Sequence, residues 1–119
     1  EERLELVDRS YGREQIDMFK GPDTVPMPVK AFRVGDFAAA TMTGEIFCRF
    51  GLDLKNASPF SATALVELAN GYGGYVPTRV DYDLGGYETW LARSAFATPG
   101  TGEALVVEAA KRLKELWSG

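Results

Sequence analysis

Histidine is absent from this sequence, and cysteine occurs once, as Cys48. Without histidine, the chain alone can build neither a Ser-His nor a Cys-His nucleophile pair, and it lacks the commonest zinc ligand. One cysteine makes no internal disulfide, so nothing here reports an oxidising compartment. Lying between Phe47 and Arg49 in a helical stretch, Cys48 reads as a packing residue or a spare thiol. Cations are also in deficit: 13 Lys and Arg against 17 Asp and Glu leave a net charge of −4, with no basic stripe. That distribution argues against a nucleic-acid partner. No apolar run approaches the ~20 residues that a bilayer-crossing helix needs. The chain also opens without Met or an apolar leader, as Glu1-Glu2-Arg3-Leu4-Glu5-Leu6-Val7. So abrupt an amphipathic start suggests a piece of a longer polypeptide; an intact small protein with its initiator Met removed is the other reading.

What is present fits one folded domain with a modest core: 119 residues, 45% hydrophobic and 25% charged. Residues 1–28 read as a helix and linker, and 29–119 as an α/β core. Leu4, Leu6, Val7, Tyr11, Ile16 and Phe19 recur at helical spacing over 1–19, with Gly12 weakening the middle. Three prolines make Gly21 to Pro28 an extended connector. Val29 to Val34 alternates at strand period, Gly35-Asp36 reads as a hairpin turn, and Phe37 to Met42 as an apolar strand.

A helix is expected from Glu45 to about Asn56, with Thr43 as its N-cap and Glu45 in the first turn. Residues 61–69 read as a buried central strand, and 89–97 as extended or coil. Glu103 to Trp117 carries Leu105, Val106, Ala109, Leu113 and Leu116 as one core-facing helical stripe. The class is therefore mixed α/β or α+β: a small sheet of about three or more strands with two to three helices.

Asn70 to Glu88 is the most informative stretch. Tyr72, Tyr75, Tyr82 and Tyr87 and five glycines fall within eighteen residues after an apolar run. Glycine permits positive φ and close backbone approach, and tyrosine sets a rigid ring with a polar tip. On a loop leaving a strand, that combination suits a binding or catalytic site, or simply the edge of a core. Glu45, at a strand-to-helix junction, reads as a metal ligand, a general base, or a charge matched to a helix dipole. Asn70-Gly71 is a turn signal. Gly85-Gly86-Tyr87-Glu88 lacks the spacing of a nucleotide loop, and Asp81, Asp83 and Glu88 lack that of a calcium loop.

Taken together, Thr43-Gly44-Glu45, Asn70-Gly-Tyr72-Gly-Gly-Tyr75-Val76-Pro77-Thr78-Arg79 and Gly86-Tyr87-Glu88 resemble part of the neutral/alkaline non-lysosomal ceramidase family. The similar region is the C-terminal part of the catalytic domain, and the likeness is closer to shorter bacterial proteins grouped with the family. It covers roughly residues 28–118. The resemblance implies Glu45 and Tyr75 as zinc ligands and Tyr87, twelve residues beyond Tyr75, as a catalytic residue near the substrate amide. It places Asn70, Tyr72 and Gly74 on the substrate-binding side. Thr43 stands where the family has proline, and Thr89 where it has a small residue. The family's two zinc-binding histidines lie upstream of the matching region, so zinc is implied only together with an upstream part of the polypeptide.

On this basis the leading expectation is the C-terminal portion of a zinc-dependent N-acyl amide hydrolase, inactive when isolated, acting on a small-molecule or lipid amide. A non-catalytic binding or assembly module, and a small oligomeric metabolite-binding α/β domain, are the alternatives. A piece of a larger domain is further expected to expose apolar surface on the first helix (Leu4, Leu6, Val7) or beside Phe37–Met42. Upstream polypeptide or self-association would cover that surface.

Overall fold

The N-terminal periodicity is realised as α1 (Glu2–Met18) in a computed structural model that describes residues 2–119. Its described side chains exclude those of Glu2 and Leu4, so Leu4 lies outside the described residues as a packing group. The first half of α1 stands clear of the body, with Leu6 and Val7 exposed. Its second half is tied to residues 90–93. Tyr11 meets Trp90 edge to face at 5.3 Å, and Glu14 accepts the Arg93 N–H at 3.1 Å. Asp17 pairs with Arg93 at 3.6 Å. Exposed pairs of this kind contribute about 0–1 kcal/mol each, so α1 is lightly held.

After the connector, β1 (Lys30–Val34) turns at Gly35, whose φ is +59°, into antiparallel β2 (Phe37–Thr41). Next come β3 (Glu45–Ile46), α2 (Cys48–Ala57), β4 (Ala62–Val66) and β5 (Tyr75–Val76). They are followed by α3 (Arg79–Leu84), a 3₁₀ turn (Tyr87–Thr89) and α4 (Thr101–Ser118). The fold is mixed α+β. Among the described residues it has four α-helices, a three-stranded sheet in the order β1-β2-β4, and a two-stranded sheet of β3 and β5.

Three expectations are corrected. The central strand is β2, not the segment 61–69, which forms the edge strand β4 and ends at Val66. Ala38, Ala39 and Ala40 are buried, and such small side chains suit a strand packed on both edges. The helix does not begin at Glu45: α2 starts at Cys48, with Phe47 at the cap position and no side-chain cap. Parallel pairing with β5 takes the N–H groups first: Glu45 donates to the Gly74 carbonyl at 2.8 Å, and Phe47 to that of Val76 at 3.3 Å. Glu45 is thus a strand residue, and the helix-dipole account of it falls away. Finally, four α-helices form rather than two to three. The additional one, α3, is started by a reciprocal capping box between Thr78 and Asp81.

The core sits between one face of the β1-β2-β4 sheet and helices α2 and α4. Ala38, Ala40, Met42 and Ile46 meet Phe50, Leu54, Leu105, Ala109 and Leu113 there. Each fully buried Leu or Met contributes about 1.5–3 kcal/mol through removal of its surface from water. Arg33 closes the end of this layer, donating to the Leu116 carbonyl at 3.0 Å while its guanidinium lies over Phe60 and Trp117. A cation suits the negative end of α4. No helix among the described residues is long and apolar enough to cross a membrane.

Candidate functional site

Between β2 and β3 the chain bends at Thr43–Gly44, and its backbone groups bond to both sides. Met42 and Gly44 carbonyls accept from Ala69 and Leu68, while Thr43 accepts from Gly73 and Glu45 donates to Gly74. Strand residues alternate faces. Ala38 and Ala40 of β2 and Ile46 of β3 enter the core with Met42, so Phe37, Ala39 and Thr41 lie on the other side of β2 and Glu45 on the other side of β3.

Glycine makes the strand crossing possible. A Cβ on Gly44 would lie 2.8 Å from Val76 Cγ2 and 2.9 Å from the Gly74 carbonyl oxygen. Gly74 itself has φ +66°, and a Cβ there would meet the Ser94 carbonyl oxygen at 2.8 Å. Backbones this close exclude any larger residue. The Ser94 carbonyl also accepts the Tyr75 N–H at 2.7 Å, so β5 is gripped from both edges.

This packing sets Glu45 and Tyr75 opposite each other as register partners in parallel strands. Neighbouring strands run about 4.8 Å apart, and register partners project to the same face. Tyr87, from the 3₁₀ turn, meets Tyr75 edge to face with ring centres 5.5 Å apart and hydroxyl oxygens 3.5 Å apart. The Tyr75 phenol is pushed well above its ordinary range, first by hydrogen bonding with Tyr87, then by partial burial and the Glu45 charge. Its neutral form is thereby favoured at neutral pH.

The residues assigned to substrate binding lie elsewhere on the same loop. Asn70, at φ +65°, donates from its side chain to Thr41 at 3.1 Å and accepts from Lys30 at 3.2 Å. Its amide is occupied in holding the turn to β1 and β2. Tyr72 stands exposed, and Gly74 contributes backbone alone. The structure therefore brings Glu45, Tyr75 and Tyr87 together and leaves Asn70 and Tyr72 apart from their hydrogen bonds.

Two polar groups escaped the sequence reading. Glu67 accepts the Ile46 N–H at 2.7 Å; its signal was a carboxylate at the end of an apolar run. Thr43, read as a helix cap, is instead buried, and its hydroxyl has no partner among the described residues.

A carboxylate and a phenol oxygen side by side are donors that zinc accepts, and two of them make half of a tetrahedral set. Among the described residues no group of three or more Cys, Asp or Glu side chains is placed to hold a metal. Glu45 and Tyr75 by themselves are two oxygen donors, fewer than a complete zinc set needs. No known family pattern, curated protein or solved structure matches the chain.

Proposed function

We propose that this chain is the C-terminal portion of a zinc-dependent N-acyl amide hydrolase resembling the neutral ceramidases, inactive alone. One observation carries the reading: Glu45 and Tyr75 are register partners on one face, with Tyr87 on the Tyr75 hydroxyl. Glu45 and Tyr75 would hold the ion, with two histidines from an upstream part of the polypeptide. When bound, zinc supplies a Lewis acid that acidifies water and polarises a carbonyl. Tyr87 is half exposed, and its hydroxyl is suited to donate to the amide oxygen as negative charge develops there. The tight strand pairing around Gly44 and Gly74 holds these groups in place before substrate arrives.

The open sheet face supports the partner in this reading. Phe32, Val34, Phe37 and Val66 are exposed on it. The same apolar face also favours a second reading, an assembly module on the same scaffold without chemistry.

Co-expression with the upstream polypeptide separates the two. The hydrolase reading expects bound zinc and N-acyl amide hydrolysis, both lost in Glu45→Ala. A well-folded whole protein that holds no zinc contradicts it and leaves the assembly module.

A further inference from the structure

We infer that Glu67 is a positioning residue that holds the Glu45-bearing strand in register with Tyr75. Its consequence for hydrolysis rests on the proposed zinc reading; its structural content does not. Along Met42–Ile46, the even-numbered residues look toward β4 and the turn beyond it. Met42 donates to the Val66 carbonyl at 2.9 Å, and the Gly44 carbonyl accepts from Leu68 at 3.1 Å. Ile46 is next in that series, and the chain has by then turned away, with Leu68 at φ +52° and Asn70 at φ +65°.

A left-handed leucine is strained, and such strain persists where surrounding contacts over-determine it. With no backbone acceptor left, the Ile46 N–H donates to Glu67 Oε2 at 2.7 Å, a short charge-assisted bond. The Glu67 carboxylate therefore stands in for a missing strand. On the opposite edge β3 has only the two-residue ladder with β5. Glu67 thus braces a strand too short to keep its own register. Glu67 gives no sign of acting on Tyr75 directly, whose perturbing neighbours are Tyr87 and Glu45.

The test compares Glu67→Ala with Glu67→Gln in this chain, metal-free, by amide exchange and side-chain NOEs. A charged-acceptor bond of this kind corresponds to roughly ten- to a hundredfold in exchange protection. Glu67→Ala should lose that much protection at Ile46 and weaken the Glu45–Tyr75 NOEs, while thermal melting moves little. Glu67→Gln, which keeps an acceptor oxygen, should restore most of both. Unchanged Ile46 protection in Glu67→Ala overturns the inference, as does lost protection with intact Glu45–Tyr75 NOEs. Because no zinc enters this experiment, its outcome is independent of whether Glu45 and Tyr75 bind metal.

Discussion

Strands β2 and β3 each have one side in the core and one side outside it, built on different principles. On the first, Ala38, Ala40, Met42 and Ile46 are sealed against α2 and α4. On the other side of β2, Phe37 is partly open to water, and Phe32 and Val34 beside it more so. The sealed face is finished within the chain and is held by apolar burial. The Glu45–Tyr75 pairing of β3 with β5 is instead shaped by glycine contacts and single hydrogen bonds. Stability and the candidate site are therefore separable here, although two adjacent residues, Glu45 and Ile46, belong one to each.

The largest effect should come from the sealed face. Leu113 is fully buried, and Leu113→Ala should cost about 2–5 kcal/mol in denaturant unfolding. The Glu45–Tyr75 NOEs of the folded fraction should survive it. Collapse of those NOEs at native-like conditions would show that the two faces are not separable.

Gly74→Ala attacks the β3–β5 pairing. It forces a side chain into positive φ and onto the Ser94 carbonyl, at a cost of about 1–3 kcal/mol. Here the NOEs from Glu45 to Tyr75 should be lost first, while exchange protection at Leu54 and Leu113 is retained. Equal loss at both places would erase the distinction.

Thr43→Val should act in the opposite direction. The Thr43 hydroxyl is buried without a partner among the described residues, and valine is close to it in shape. Removing the desolvated hydroxyl should stabilise the fold by about 1 kcal/mol, seen as a higher urea midpoint. A loss of stability would reveal a partner for that hydroxyl.

The smallest effect concerns pH. The Tyr75 phenol ionises less readily folded than at its ordinary value of 10.0, chiefly through Tyr87. A raised value means that its contribution to stability is complete below that pH and declines as pH rises beyond it. Tyr87→Phe should therefore soften the alkaline loss of stability. Identical unfolding profiles above about pH 10 for the two proteins would remove Tyr87 as the cause.

Much of the sealed face was legible in the sequence, because periodicity reports burial. The Leu105-to-Leu116 stripe is α4, and the Val29–Val34 alternation is β1. Legibility failed where non-local pairing overrode a local signal. Thr43-Gly44-Glu45 looks like a helix start, yet the Gly74 carbonyl, some thirty residues away, draws Glu45 into a strand. The helix α3 was missed although Thr78 and Asp81 have capping-box spacing, since the glycines around it argued for loop. For the candidate site, residue types and spacing suggested Glu45, Tyr75 and Tyr87. The glycine contacts that bring them together, and the brace from Glu67, depend on where distant backbone carbonyls lie and leave no local pattern.

The most direct measurement is the zinc stoichiometry of the whole polypeptide, by native mass spectrometry, for the native sequence and for Glu45→Ala with Tyr75→Phe. The account predicts one zinc per molecule in the native protein and none in the double variant, with both folded. Zinc retained at full occupancy in the double variant, or absent from the folded native protein, would contradict it.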